Sequence, residues 1–264
     1  MYGFLATRRW IAFGALMVLL AAAMVGLGLW QLSRYHERGA ANAHIDAAGR
    51  AQPVPLGQVL AVRQPPPAGA AWTRVTLTGR YDAEHEILAR DRAVNGSVGF
   101  EVLTPLVLDD GTAVLVDRGW LPPAPDSVQA PARVPAVPGG RVNVTGRVHL
   151  PESRADNPQR VGGATQVRRI SPAKLAGVLP YRLYGGYVLL DAGVPGADKA
   201  FTAIPLDYQN ALMNAGYVVQ WWAFALLTLA GFAWAVRREA RGPDEFDLAT
   251  LDEEPADAPV SPAV

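Results

Sequence analysis

Residues 10–32 read WIAFGALMVLLAAAMVGLGLWQL, and residues 217–236 read YVVQWWAFALLTLAGFAWAV. Neither stretch holds a charged side chain, and in the first only Gln31 is strongly polar. An α-helix rises about 1.5 Å per residue, so about 20 such residues cross the roughly 30 Å hydrocarbon core of a bilayer. The pattern predicts two transmembrane helices, 10–32 and 213–236, one towards each end of the chain. Trp10 and Trp30 bracket the first, while Tyr217, Trp221 and Trp222 form an aromatic belt at the start of the second. Indoles and phenols favour that interface, where the ring is buried and the polar edge stays wet. Ala21, Ala22 and Ala23 resemble a signal-peptide cleavage site, but the apolar run continues to Trp30 and is too long for a signal h-region.

Basic residues set the orientation. Arg237, Arg238 and Arg241 follow the second run, and no basic residue lies between Lys199 and Arg237. This asymmetry puts the C-terminal side in the cytoplasm. With two spans, residues 1–9 are then cytoplasmic too, and everything between the spans is extracytoplasmic. The expected location is the plasma (cell) membrane. Residues 237–264 turn acidic after Arg241 and are filled out with proline and alanine. Such a composition buries too little apolar surface to fold, which predicts a disordered cytoplasmic tail.

The region between the spans alternates apolar and polar residues and is rich in β-branched ones. Trp72 to Tyr81 (WTRVTLTGRY) and Arg141 to Leu150 (RVNVTGRVHL) read as half-buried strands. Glu86 to Arg90, Phe100 to Leu108, Thr112 to Asp117, Gln166 to Ile170 and Tyr187 to Asp191 bring the total to about seven short strands. Asp109-Asp110-Gly111 is a hairpin signal between two of them. Ser171-Pro172 opens one short helix through Val178. Residues 33–70 read as a helical stub leaving the membrane and then a Pro-rich linker. Residues 71–212 read as a mainly antiparallel β domain, a sandwich or partial barrel with little helix. Within it, the Pro-rich stretch 121–140 reads as an excursion with little order.

Composition excludes several classes of function. Among 264 residues there are 24 basic and 24 acidic ones and no cysteine. No global field attracts nucleic acid, and disulfides, thiolate metal sites and cysteine nucleophiles are out of reach. The four histidines, His36, His44, His85 and His149, show no zinc-protease spacing. Gly96-Ser97-Val98-Gly99 is a turn and not a phosphate loop. No nucleophile–base or metal-ligand arrangement is visible, so an enzyme is not expected. His85 and His149 read as surface residues on a turn and a strand.

Three clusters stand out. Trp30, Gln31 and Arg34 lie where the first helix leaves the bilayer, and an interfacial anchor accounts for Trp30 and Arg34. Asp117-Arg118-Gly119-Trp120 closes a strand. There Trp120 can cap the core and Arg118 can pair a carboxylate, or both can face a partner. Asn214 and Tyr217, with Gln220 and Trp221, form the mouth of the second helix, where an amide points to a neighbouring helix or a cofactor edge. Small residues at Ala22/Gly26 and Gly231/Ala235 offer close-packing surfaces, either between the two spans or against a partner.

Together these segments resemble the Surf1 (Shy1) family of cytochrome c oxidase assembly factors. The resemblance runs from about Arg8 to Arg238. It rests on Gly28-Leu29-Trp30-Gln31 with Arg34, on Asn95-Gly96 and Thr104-Pro105-Leu106, on Val114 through Pro122 (VLVDRGWLP), and on Gly216-Tyr217 with Gln220-Trp221. It implies a non-enzymatic, membrane-anchored factor that helps supply haem a to subunit I of a haem-copper (aa3-type) oxidase. Trp30, Gln31, Arg34, Arg118, Gly119, Trp120, Asn214, Tyr217, Gln220 and Trp221 would then lie near the partner or the haem. Some bacterial members bind haem a through a histidine near the start of the second span. Asn214 stands at that position here, and an amide is a poor iron ligand, so no cofactor is assigned. His36 is the fallback ligand. The other class of reading is an extracytoplasmic sensor or binding module whose acidic tail recruits a cytoplasmic partner.

Overall fold

A computed structural model describes residues 2–131 and 133–241. The expected acidic tail from residue 242 onward lies outside the described residues. Two apolar helices towards the ends of the chain flank a β-rich region with little helix, an arrangement consistent with membrane anchoring. The chain divides into two compact units, one holding residues up to Gly39 and from Asn210, the other Ala40–Gln209.

In the first unit, α1 (Arg8–Arg50, up to Gly39) runs antiparallel to the last helix (Ala211–Arg241). Small residues at seven-residue spacing let the helices approach. Gly14 lies under the Phe232 ring, Ala21 is buried, and Gly28 sits against the Trp222 indole. A side chain on Gly28 would overlap that indole. Between the two spans this face takes the place of the Ala22/Gly26 and Gly231/Ala235 surfaces, since Gly26 and Gly231 have open space beside them. A spacing of seven keeps residues on one side of a helix over several turns, and the bulky partners Trp222 and Phe232 selected that side. Asn210 caps the second helix, its Oδ1 accepting from Met213 N at 3.2 Å.

Among the described residues, the second unit holds eleven strands and one short α-helix besides the end of α1 and three 3-10 turns. The strands are β1 (Val54–Pro55), β2 (Arg74–Tyr81), β3 (Ile87–Val94), β4 (Ser97–Leu108), β5 (Thr112–Leu121), β6 (Pro123–Ala124), β7 (Ser127–Pro131), β8 (Val142–His149), β9 (Gln159–Val161), β10 (Ala164–Val167) and β11 (Arg182–Leu190). The short helix is α2 (Pro172–Leu175), which makes the long C-terminal helix α3. Nine strands join in the order β1-β2-β8-β11-β5-β4-β3-β10-β9, and a further β2–β4 pairing returns the circuit to β2. Most pairings are antiparallel; β1–β2, β3–β10 and β5–β11 are parallel.

The burial patterns follow from this circuit. β2 and β8 alternate buried and half-buried residues because one face meets the core. Val75, Leu77, Leu106, Val114, Val116, Val144, Val148 and Val188 from the circuit's five strands fill its interior. β5 is buried along its whole length, since Ala113 and Leu115 on its other face meet Ile170, Leu175 and Leu183 under α2. Its near-continuous apolar run reflects burial on both faces. Asn95 and Gly96 both have positive φ (50° and 79°), the two-residue hairpin loop that joins β3 to β4.

Three segments differ from expectation. Residues 33–70 are helical to Arg50 and then contribute Leu56 and Leu60 to the core, so they are no mere linker. Their prolines suggested a spacer, but Val54 and Pro55 add a short parallel strand to β2. Within 121–140, β6 and β7 pair as a small hairpin. His149 is enclosed between the rings of Trp72 (4.4 Å) and Tyr187 (5.2 Å), and its Nε2 is buried with no partner. It sits at a strand end where neighbouring aromatics fold over it, which strand alternation alone does not reveal.

Candidate functional site

The Asp-Arg-Gly-Trp segment ends β5, and a bulge shapes it. Glu101 opposes Trp120 while Leu103 opposes Asp117, so β5 carries one extra residue between these pairs. Gly119 absorbs the kink at φ +130°, and an added Cβ would sit 2.8 Å from the Phe201 Cβ. The bulge aims Arg118 inward, where its side chain is 1% exposed. Its Nε donates to Gly196 O at 3.0 Å, and Nη1 donates to Glu86 Oε2 at 3.3 Å. Nη2 donates to the carbonyls of Pro135 (2.7 Å) and Ala136 (3.2 Å). The guanidinium also stacks 4.9 Å from the Phe201 ring. Four hydrogen bonds use all but one of its five N–H donors, so Arg118 ties two loops to Glu86 at the entrance of β3 and little of it is left for a partner. Burial raises the carboxyl of Glu86, opposed by Arg118 and Thr104.

Trp120 is interior as well. Its Nε1 donates to Arg92 O at 2.9 Å, and its backbone pairs with Thr202. Arg92 in turn holds two carboxylates: Nε donates to Glu101 Oε2 at 2.7 Å, and the terminal nitrogens bind Glu152. Asp117 shares this interior and accepts from Gly119 N at 3.1 Å. Burial, followed by repulsion from Glu101, raises Asp117 well above the usual carboxylate range. One guanidinium therefore faces three acids, and burial favours the neutral form of the most buried one. A cleft of about 450 Å³ opens beside the motif, bounded by Gly119, Phe201, Asp191 and Lys199. Asp191 is held there by Arg74 (2.8 Å) and Arg147 (3.7 Å).

In the helix pair, the structure brings Gln31 and Asn214 together. Asn214 Nδ2 donates to Gln31 Oε1 at 3.1 Å, and its Oδ1 accepts from Arg38 Nη1 at 2.9 Å. Arg38 also reaches Asn210 O at 3.2 Å. Sequence reasoning missed Arg38 as a participant, although it lies seven residues after Gln31 on the same face. The other candidates are not gathered. Arg34 pairs with Glu37 on its own helix (3.0 Å), Trp30 is 58% exposed and Tyr217 42%, and Gln220 faces outward. Trp221 is half-buried against Phe224, whereas the adjacent Trp222 makes the contact with Gly28.

The donor set around Asn214 does not suit haem iron. Both ends of its amide are engaged, a guanidinium adjoins it, and no imidazole joins the cluster among the described residues. His36 is exposed on α1, with its ring against Tyr35. No group of three or more His, Asp or Glu side chains is placed to hold a metal ion among the described residues.

Comparison with known proteins connects these features. The model of the SURF1 family matches residues 18–226. Uncharacterized SURF1-like proteins of Mycobacterium tuberculosis and Mycobacterium bovis are each 32% identical over 241 residues, covering 90% of this chain and 87% of theirs. The cytochrome oxidase assembly protein SHY1 of Saccharomyces cerevisiae is 32% identical over 107 residues, covering 38% of this chain and 26% of that protein.

Proposed function

Because the chain belongs to the SURF1 family, we propose that it is a membrane-anchored assembly factor for a haem-copper (aa3-type) cytochrome c oxidase. In this reading it assists delivery or insertion of haem a into subunit I. The observation that carries the reading is the family match, which takes in most of the first apolar helix, about half of the second and the whole β region. A relative named as a cytochrome oxidase assembly protein supports the same role. The protein acts by binding and holding, not by catalysis. It resides in the plasma membrane with both termini cytoplasmic and the β domain outside. Haem a passes to subunit I with this chain as a scaffold, since Asn214 is committed to Gln31 and Arg38. Exposed polar and aromatic side chains of the helix pair, Trp30, Tyr217 and Gln220 among them, are left to meet subunit I.

Deleting the gene tests the role. Active aa3-type oxidase and haem a content should fall while the oxidase transcripts stay unchanged, and the wild-type gene should restore both. Normal oxidase with normal haem a content in the deletion strain overturns the proposal. A photo-crosslinker at Gln220 should capture subunit I, and capture of other membrane proteins alone counts against that partner. An absorption spectrum of the protein purified from a haem a-producing host should lack a haem a band. A band abolished by His36→Ala reverses the scaffold reading.

A further inference from the structure

A second cleft in the β domain, about 650 Å³, is lined in part by α2 and shares no lining residue with the cleft beside the Asp-Arg-Gly-Trp motif. Its apolar walls include Pro65, Pro151, Pro172, Ala173, Ala176 and Leu183, and Arg63, Gln64 and Tyr184 are the polar side chains of the lining. We propose that this cleft binds a long-chain carboxylate, with its acyl chain against the proline and alanine walls and its head group at Arg63.

Size admits a small-molecule ligand, since such sites commonly enclose about 300–1,000 Å³. The hydrogen-bonding inventory then selects its chemistry. Pro65, Pro151 and Pro172 have no N–H to offer. The strand wall is already paired, with Arg63 N donating to Leu183 O (2.9 Å) and Gly185 N to Ala61 O (3.1 Å). A peptide laid here would find few partners for its amides beyond the side chains of Gln64 and Tyr184, and amides buried unpaired weaken binding. An acyl chain carries no such groups. Small, stiff walls also lose little side-chain entropy when they are covered.

Charge identifies the head group. Arg63 is the only charged residue of the lining, its side chain is exposed, and it forms no ion pair among the described residues. It is held at φ +59°, a left-handed conformation that a side chain rarely adopts. The bonds flanking it, Arg63 N to Leu183 O and the Val62–Tyr184 bridge, keep it there. Backbone strain held by its surroundings commonly marks a ligand contact. A planar guanidinium suits a carboxylate geometrically as well as electrically.

The full chain in amphipol can be titrated with 11-(dansylamino)undecanoic acid. Saturable, blue-shifted fluorescence above that of empty amphipol is expected, and palmitate should displace it. Arg63→Gln should weaken binding about tenfold, the loss of one charge-assisted contact. The methyl ester of the probe should bind the wild type and Arg63→Gln equally. Ala173→Phe, at an exposed wall position, should abolish binding with an unchanged circular dichroism spectrum. No saturable signal over empty amphipol overturns the proposal, and so does binding that neither Arg63→Gln nor the ester alters. Should Ala173→Phe fail to fold, the Arg63 and ester comparisons decide alone.

Discussion

Asn214 on α3 donates its side-chain N–H to Gln31 Oε1 on α1 at 3.1 Å, and the same amide accepts from Arg38. The two residues are 183 positions apart, and their meeting closes the helix pair at the end where both helices leave their apolar runs. An amide that donates and accepts at once fixes helix rotation as well as separation. That is a structural role for the position from which the family resemblance implies haem ligation.

The coupling between these side chains should be measurable. Interhelical hydrogen bonds in membranes contribute about 0.6–2 kcal/mol. A double-mutant cycle of Gln31→Leu and Asn214→Leu, read by thermal unfolding of the purified protein, should give a coupling energy in that range. Strict additivity would mean that the bond contributes nothing.

Arg118→Ala should remove the protein before it removes any partner interaction. It would leave the Glu86 carboxyl with the Thr104 hydroxyl alone and three loop carbonyls without their donor. Breaking a buried ion pair costs about 3–5 kcal/mol, comparable to the stability of many domains. The expected result is a sharp loss of chain from the membrane fraction, and Arg118→Lys should not restore it, because an ammonium cannot span the same carbonyls. Normal abundance with lost oxidase assembly would instead assign Arg118 to a partner surface.

Gly119→Ala should act similarly through the backbone. Its φ of +130° and the nearness of Phe201 both resist a methyl group. A melting temperature lowered by at least several degrees is expected, and Phe201→Ala should not rescue it, because the Phe201 Cβ and the Thr202 carbonyl that the methyl meets both remain. An unchanged melting temperature in Gly119→Ala would show that the bulge can relax.

Acid should destabilise the β domain through His149. Burial lowers its pKa from 6.5 to about 4, with Glu152 opposing. The unfolded chain therefore takes up a proton first, so stability is complete above pH 6.5 and is lost as pH falls towards 4. The loss at pH 5 is about 2 kcal/mol. His149→Phe keeps the packing between Trp72 and Tyr187 and should flatten this limb of a melting-temperature profile. An unchanged acid limb would place the sensitivity elsewhere.

Asp117 should act with the opposite sign. Its carboxyl is raised by burial and by Glu101, so the folded state holds a proton that the unfolded state releases. The stability tied to that proton is lost as pH rises from the ordinary carboxylate range through the raised value. Asp117→Asn keeps the acceptor for Gly119 N, stays neutral, and should raise the melting temperature at pH 7. A lowered melting temperature would mean that the ionised form is the one the fold needs.

Local patterns carried much of the fold. The strands of β2 and β8 were legible because one face of each is buried and period-two alternation survives. The Asp109-Asp110-Gly111 turn was legible because Gly111 takes φ +74° where the hairpin requires it. Leu56 and Leu60 were not, since isolated apolar residues among prolines lack any period. The motif Asp117-Arg118-Gly119-Trp120 was visible as a string, but its meaning depended on Glu86, Pro135, Gly196 and Phe201, which are distant in sequence.

The sequence by itself determined that two charge-free runs exceed the thickness of a bilayer core and that the region between them is built of strands. Those are properties of length and period, which neighbouring residues decide. Only the tertiary structure decided which faces meet. Gly14, Ala21 and Gly28 were chosen over Ala22 and Gly26 by Phe232 and Trp222, and Asn214 found Gln31 and Arg38 across a chain separation no local pattern encodes. Packing and hydrogen bonding act between surfaces, and a residue's partner is fixed only once both surfaces exist.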